Sequence, residues 1–232
     1  MQSQTLPSYA PVSELSVEAR SNFIWRTYGH VAAAILLFAG IETYLFDSGL
    51  AYPMAQSMLG FNWLLILGAF MVVGWLATHV AHSAQSRAVQ YVALVGFVVA
   101  EAIIFVPLLA IAMTLQPGII ESAAGVTLLG TGGLTAVGLI TRKDFSFLRG
   151  ILVWGGILAL VGIISAVLFG FQLGTWFSVA MIGFAGAAVL YDTSNILHHY
   201  PEDRYVGAAL QLFASVAMMF WYVLRLFISS RD

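Results

Sequence analysis

Seven apolar runs, each about twenty residues or longer, recur along this chain and leave little choice of fold. They lie at about 22–46, 61–82, 88–115, 119–141, 148–171, 174–198 and 205–228. A run of that length crosses a hydrocarbon core about 30 Å thick when it is helical. Lipid offers an open backbone no hydrogen-bond partners, so each run must be a helix or a strand of a closed barrel. Barrel strands are about ten residues long and alternate strictly between polar and apolar. These runs are longer and continuously apolar, so they read as helices. Composition agrees: the chain is 60% hydrophobic and 9% charged, whereas a soluble domain carries about 25% charged residues. The expected fold is an all-α integral membrane protein with seven transmembrane helices, and its first partner is the lipid bilayer.

The polar flanks set domains and orientation. Residues 1–21 hold Pro7, Pro11, Glu14, Glu18 and several serines. No apolar core precedes a small-residue cleavage site, so this is not a signal peptide. It reads as a mobile polar tail ahead of a transmembrane domain at 22–232. Arg20, Arg26, Arg87, Arg142, Lys143, Arg149 and Arg204 all fall on one side of the expected topology; only Arg225 and Arg231 fall on the other. Basic residues accumulate on the cytoplasmic side. The tail is therefore expected in the cytoplasm and the C-terminus outside. A net charge of −2 argues against nucleic acid as a partner. With no cysteine, thiol catalysis and disulfides are excluded.

Away from the run ends, six ionisable groups look intramembrane: Arg26, His30, Glu42, Glu101, Asp192 and Arg225. Such groups are costly in lipid and mark a functional interior or a buried pair. At about 1.5 Å of rise per residue, His30 and Asp192 both lie roughly 9–12 Å inside the basic side. Arg26 sits one turn shallower on the His30 face of the first run. A cluster of Asp192 with Arg26 or His30 is therefore expected to be possible, as is an outer-end pair of Glu42 with Arg225. Glu101 falls near the midplane with no evident cation at its depth. These groups read either as pairs that pin helices together or, as the main functional alternative, as a proton or cation pathway.

Enzyme readings are weaker. Intramembrane aspartyl chemistry needs two facing carboxylates, and the sixth run carries Asp192 alone. Ser165, Ser178 and Ser215 have no histidine base on their own helices at a useful depth. His79 and His82 on one edge and His198 and His199 on another have poor spacing for a zinc site, which wants three or four convergent ligands. No phosphate loop or dinucleotide fingerprint occurs. The chain is expected to be no enzyme and to need no metal or cofactor.

Three blocks carry a family resemblance: Thr141-Arg142-Lys143-Asp144-Phe145-Ser146-Phe147-Leu148; Leu190-Tyr191-Asp192-Thr193-Ser194-Asn195-Ile196 with Glu202-Asp203; and Ala209-Leu210-Gln211-Leu212-Phe213 through Leu224-Arg225-Leu226-Phe227. Together with the seven-helix plan, over about residues 22–230, the sequence resembles the Bax inhibitor-1 (transmembrane Bax-inhibitor-motif) family. The resemblance implies a bundle with the last helix central, and roles in stress response or calcium homeostasis. Calcium-leak members use one carboxylate on the sixth helix and one on the seventh. Asp192 matches the first, and the second maps onto Ser215. Thr193-Ser194-Asn195-Ile196 with serine at 215 is similar to the bacterial YccA-like branch, whose members modulate an FtsH-type membrane protease. That resemblance implies a multi-pass inner-membrane protein in membrane-protein quality control. A pH-sensitive calcium or cation leak, with Ca2+ or H+ passing Asp192, Ser215, Glu101, His30 and Arg26, is the alternative.

Overall fold

A computed structural model describes residues 11–83 and 86–230, apart from the side chain of His82. Among the described residues the chain forms α1 (Val17–Asp47), α2 (Ala51–Gly60), α3 (Trp63–Ser83), α4 (Arg87–Leu115), α5 (Ile119–Thr141), α6 (Leu148–Phe169), α7 (Thr175–His198) and α8 (Tyr205–Ser229), with short 3-10 turns at Val12–Glu14 and Glu202–Arg204. All but α2 are long and apolar enough to cross a membrane. The chain is an all-α integral membrane protein.

The last helix is the core. It is buried on most of its surface from Tyr205 to Leu224, as a helix inside a bundle must be, and its half-buried stripe holds Gln211, Met218 and Trp221. It packs against α1, α3, α4, α5 and α7. Small residues let the neighbours close in. A Cβ on Gly207 would sit 3.0 Å from the Ala81 carbonyl of α3, so α8 meets α3 backbone to backbone there. An aromatic cluster fills the half further from Tyr205. Phe38 of α1 meets Phe105 of α4 at 5.1 Å, and Phe105 meets Trp221 of α8 at 4.9 Å, both edge-on, the geometry that aromatic quadrupoles favour.

In α6 the packing is different. It has no buried residue. It leans on α7, where a Cβ on Gly155 would lie 2.9 Å from the Phe184 ring, and it reaches α3 only weakly. A gap is thus left between α3 and α6. Gly170 ends α6 in the left-handed conformation, at φ 71°, where glycine alone is unstrained.

Two elements differ from the sequence reading. The link between the first two membrane spans folds into α2, which packs Ala51 and Ala55 against Val106 and Ala110 of α4. Ten residues are too few to span a bilayer, so hydropathy alone did not separate this helix from a loop. At the other end, α1 begins at Val17, capped by Ser16, which accepts from the Ala19 amide at 3.2 Å. Ahead of it the chain is docked. Val12 is fully buried and donates its amide to the Tyr200 carbonyl at 2.9 Å, and Ser13 donates to the His198 carbonyl at 3.1 Å. Residues 11–21 are therefore part of the folded body; residues 1–10 lie outside the described residues.

Candidate functional site

The first two sequence blocks meet at the face that holds the α3–α4, α5–α6 and α7–α8 connections, and the third runs inward from it along α8. Asp144 turns the α5–α6 loop by accepting the Ser146 amide at 2.8 Å. The next amide, Phe145, donates to Ser194 of α7 at 2.9 Å. Asp144 also lies 3.8 Å from His199. The Ser146 backbone amide, seconded by the histidines beyond it, holds the Asp144 carboxyl below its ordinary value of 3.8. The first block is thus tied to the second.

Deeper in, the second block meets the third. Ser215 of α8 donates to Asp192 Oδ2 of α7 at 2.5 Å. Asp192 is 2% exposed and Ser215 4%. The second oxygen, Oδ1, is buried with no hydrogen-bond partner. The residue after Asp192 locks the helix on its other sides. Thr193 receives the Tyr28 hydroxyl of α1 at 3.3 Å, and Gly138 of α5 comes so close that an added Cβ would stand 2.6 Å from Thr193 Cγ2. The site is a carboxylate held between α7 and α8 by one hydroxyl and by tight packing.

Asp192 and Ser215 form part of the wall of a cavity of about 1280 Å³ between α3, α4, α6, α7 and α8. Glu101, Gln211, Thr78 and Tyr191 contribute further polar groups, and Phe70, Phe97, Leu152 and Phe184 much of the apolar wall. The lining runs from Arg149 at one membrane face to Thr175, Arg225 and Ser229 at the other. The cavity exists because α6 stands off from α3.

Of the sequence candidates, the structure brings Asp192, Ser215 and Glu101 to this one cavity. Glu101 is 6% exposed, and no described residue offers it a hydrogen bond or an ion pair. Arg26 and His30 go elsewhere, so the expected cluster with Asp192 does not form. Arg26 lies over the Tyr205 ring, and His30 bonds Tyr91 at 2.8 Å. Depth placed His30 level with Asp192 and Arg26 a turn shallower, but rotation about the α1 axis points them towards α4 and the start of α8. Glu42 and Arg225 do not pair either. Arg225 donates to the Leu173 carbonyl at 3.0 Å, while both Glu42 oxygens are buried without a partner. Among the described residues no three His, Asp or Glu side chains converge to hold a metal. Tyr91 and Tyr205 hold His30 and Arg26 in contacts that sequence reasoning passed over, because a tyrosine near a helix end gives no signal distinct from interfacial packing.

A central helix α8 packed against α1, α3, α4, α5 and α7, with a lone carboxylate on α7 and a docking loop from Asp144 to Ser146, defines a class of seven-span membrane proteins. The sequence model of the family described as "Inhibitor of apoptosis-promoting Bax1" matches residues 20–232, and the chain belongs to that Bax inhibitor-1 family. It is 32% identical to the uncharacterized protein PA2604 of Pseudomonas aeruginosa over 213 residues, 89% of each chain. It is 34% identical to the Modulator of FtsH protease YccA of Escherichia coli over 116 residues, 49% of this chain and 52% of that one. A BI1-like protein of Arabidopsis thaliana is 29% identical over 217 residues, 90% of this chain and 81% of its own.

Proposed function

We propose that this chain regulates membrane-protein quality control by modulating an FtsH-type protease of the bacterial inner membrane, and that it is itself no enzyme. The observation that supports this most is its likeness, over about half of each chain, to a relative named as a modulator of that protease. The bias of basic residues supports a cytoplasmic N-terminal segment, the side on which a protease would engage it. The handle is residues 1–10, because Val12 and Ser13 are committed to the α7–α8 connection. Deleting residues 2–10, rather than a longer stretch, leaves those contacts intact. The deletion is expected to abolish copurification with FtsH while helicity and membrane insertion persist. Full copurification and modulation by the shortened chain would exclude the segment as handle. Failure of the intact chain to copurify would remove the reading itself.

A cation leak is the second reading, and the cavity favours it. Asp192, Ser215, Glu101 and Gln211 share a space lined from one face to the other. Its test is Ca2+ and H+ flux in proteoliposomes for the natural chain, Asp192→Asn and Ser215→Asp. Ser215→Asp puts two carboxylates at one site, which then titrate as a coupled pair, so pH dependence should appear or sharpen. Steep pH-gated calcium flux in the natural chain, lost in Asp192→Asn, would place the leak ahead of protease modulation.

A further inference from the structure

Outside the cavity, a second group of polar side chains converges where α1, α4 and α8 meet on the basic face. Tyr205 is its floor, with a ring 6% exposed. The Arg26 guanidinium lies 5.6 Å from the ring centroid and that of Arg87 5.8 Å. The His30 ring stands 5.2 Å from the same ring and 5.4 Å from Tyr91. His30 Nδ1 lies 2.6 Å from the Arg26 carbonyl. A carbonyl only accepts, so Nδ1 is the donor there, and Nε2 pairs with the Tyr91 hydroxyl at 2.8 Å. His30 thereby fixes one wall of the group and spends both its nitrogens doing so.

The two arginines are left without an anion. Both are exposed, and among the described residues no carboxylate lies within 4 Å of either; Asp203, close by in the chain, is taken by Arg204 at 3.5 Å. Two guanidiniums share one tyrosine ring, which offsets only part of their positive charge. An anion reached by both would complete the neutralisation that the ring begins. The guanidinium fork fits the oxygens of a phosphate. The position selects the kind of phosphate. Arg87 opens α4 and Tyr205 opens α8, so the group lies at the level where the apolar spans begin. Beside it Trp25 is 79% exposed, Val92 72% and Val89 43%, an apolar flank on which an acyl chain can lie. Basic pockets between transmembrane helices at this level suit anionic headgroups.

We propose that Arg26 and Arg87, seated on Tyr205, form a phosphate site that holds the headgroup of an anionic phospholipid and clamps α1 and α4 to the central helix. The test uses the full chain in nanodiscs of phosphatidylcholine with or without phosphatidylglycerol, with retained lipid read by native mass spectrometry after release. Retained phosphatidylglycerol should fall about fivefold in Arg26→Gln or Arg87→Gln and about twenty-five-fold in the double variant. Arg142→Gln with Lys143→Gln, on the same face, should retain the natural amount. Equal retention by the double variant and the natural chain overturns the site. An equal drop in the Arg142/Lys143 control overturns it too, since the attraction would then be diffuse. Inorganic phosphate added to delipidated protein separates the sources: a rise in melting temperature that needs both arginines, with lipid retention insensitive to them, overturns the lipid assignment in favour of free phosphate. If the glutamine variants lose helicity in phosphatidylcholine, Arg26→Lys and Arg87→Lys replace them. These keep charge but lose the bidentate fork, and reduced retention in them is the supporting result, natural retention the overturning one.

Discussion

The Ser215 hydroxyl is the single hydrogen-bond donor that Asp192 receives among the described residues, and it joins α8 to α7 at 2.5 Å. Ser215→Ala would leave a buried acceptor without its donor, which costs about 1–3 kcal/mol. Asp192→Asn keeps an acceptor for the hydroxyl and should cost less. Thermal unfolding of both single variants and the double in one detergent gives the coupling, expected at about 1 kcal/mol; additive losses would mean the contact holds nothing together. A second contact is steric. Gly138→Ala drives a methyl against Thr193, and overpacking of that kind costs about 1–3 kcal/mol. Thr193→Ser removes Cγ2 and keeps the hydroxyl that receives Tyr28, so it should recover much of the melting temperature that Gly138→Ala loses. At this scale the sequence is legible by charge and poorly legible by partner. Asp192 and Glu101 stand out in apolar runs, and both reach the cavity. His30 matches Asp192 in depth, with Arg26 a turn shallower, but neither matches it in direction, because depth fixes one coordinate and helix packing fixes rotation. Ser215 has no signal of its own; only motif alignment singled it out.

Element by element, the long spans are legible because hydropathy and length are enough to define them, and the ends of α3 to α8 follow the apolar runs closely. Local packing made the remainder. Helix α2 is too short to announce itself, and the docking of Val12 on Tyr200 depends on a connection nearly the whole chain away. The α5–α6 connection is the element whose order should respond to pH. Asp144 has its folded value held below 3.8, so its contribution is fully present above about pH 4 and is lost as pH falls through the lowered folded value. The carboxyl is about half exposed, which makes the effect a loosening of the loop rather than unfolding. The readout is the exchange protection of the Phe145 amide, which Ser194 accepts. Protection is expected to hold from about pH 8 to 5 and to fall below about 4, with Asp144→Asn already reduced at pH 7. Unchanged protection in that variant would mean Ser194 alone positions the loop.

For the molecule as a whole, the bundle's asymmetry matters more than any single contact. Five helices wrap α8, while α6 stands aside and leaves the cavity open towards α3. One face gathers Arg20, Arg26, Arg87, Arg142, Lys143, Arg149 and Arg204; the α1–α2, α4–α5 and α6–α7 connections and the end of α8 make the other. The basic face is expected in the cytoplasm, and the natural absence of cysteine makes a clean test available. Ser146 and Ser230 are exposed at opposite faces. A membrane-impermeant thiol reagent, given access to the outer surface of the inner membrane, should label Ser230→Cys in intact cells and Ser146→Cys only after permeabilisation. The reverse pattern would invert the molecule. The N-terminal segment would then face away from the cytoplasm and could not be the protease handle, and the Arg26–Arg87 pocket would meet the opposite leaflet. The cavity would be unaffected, since its lining reaches both faces whichever way the chain is inserted.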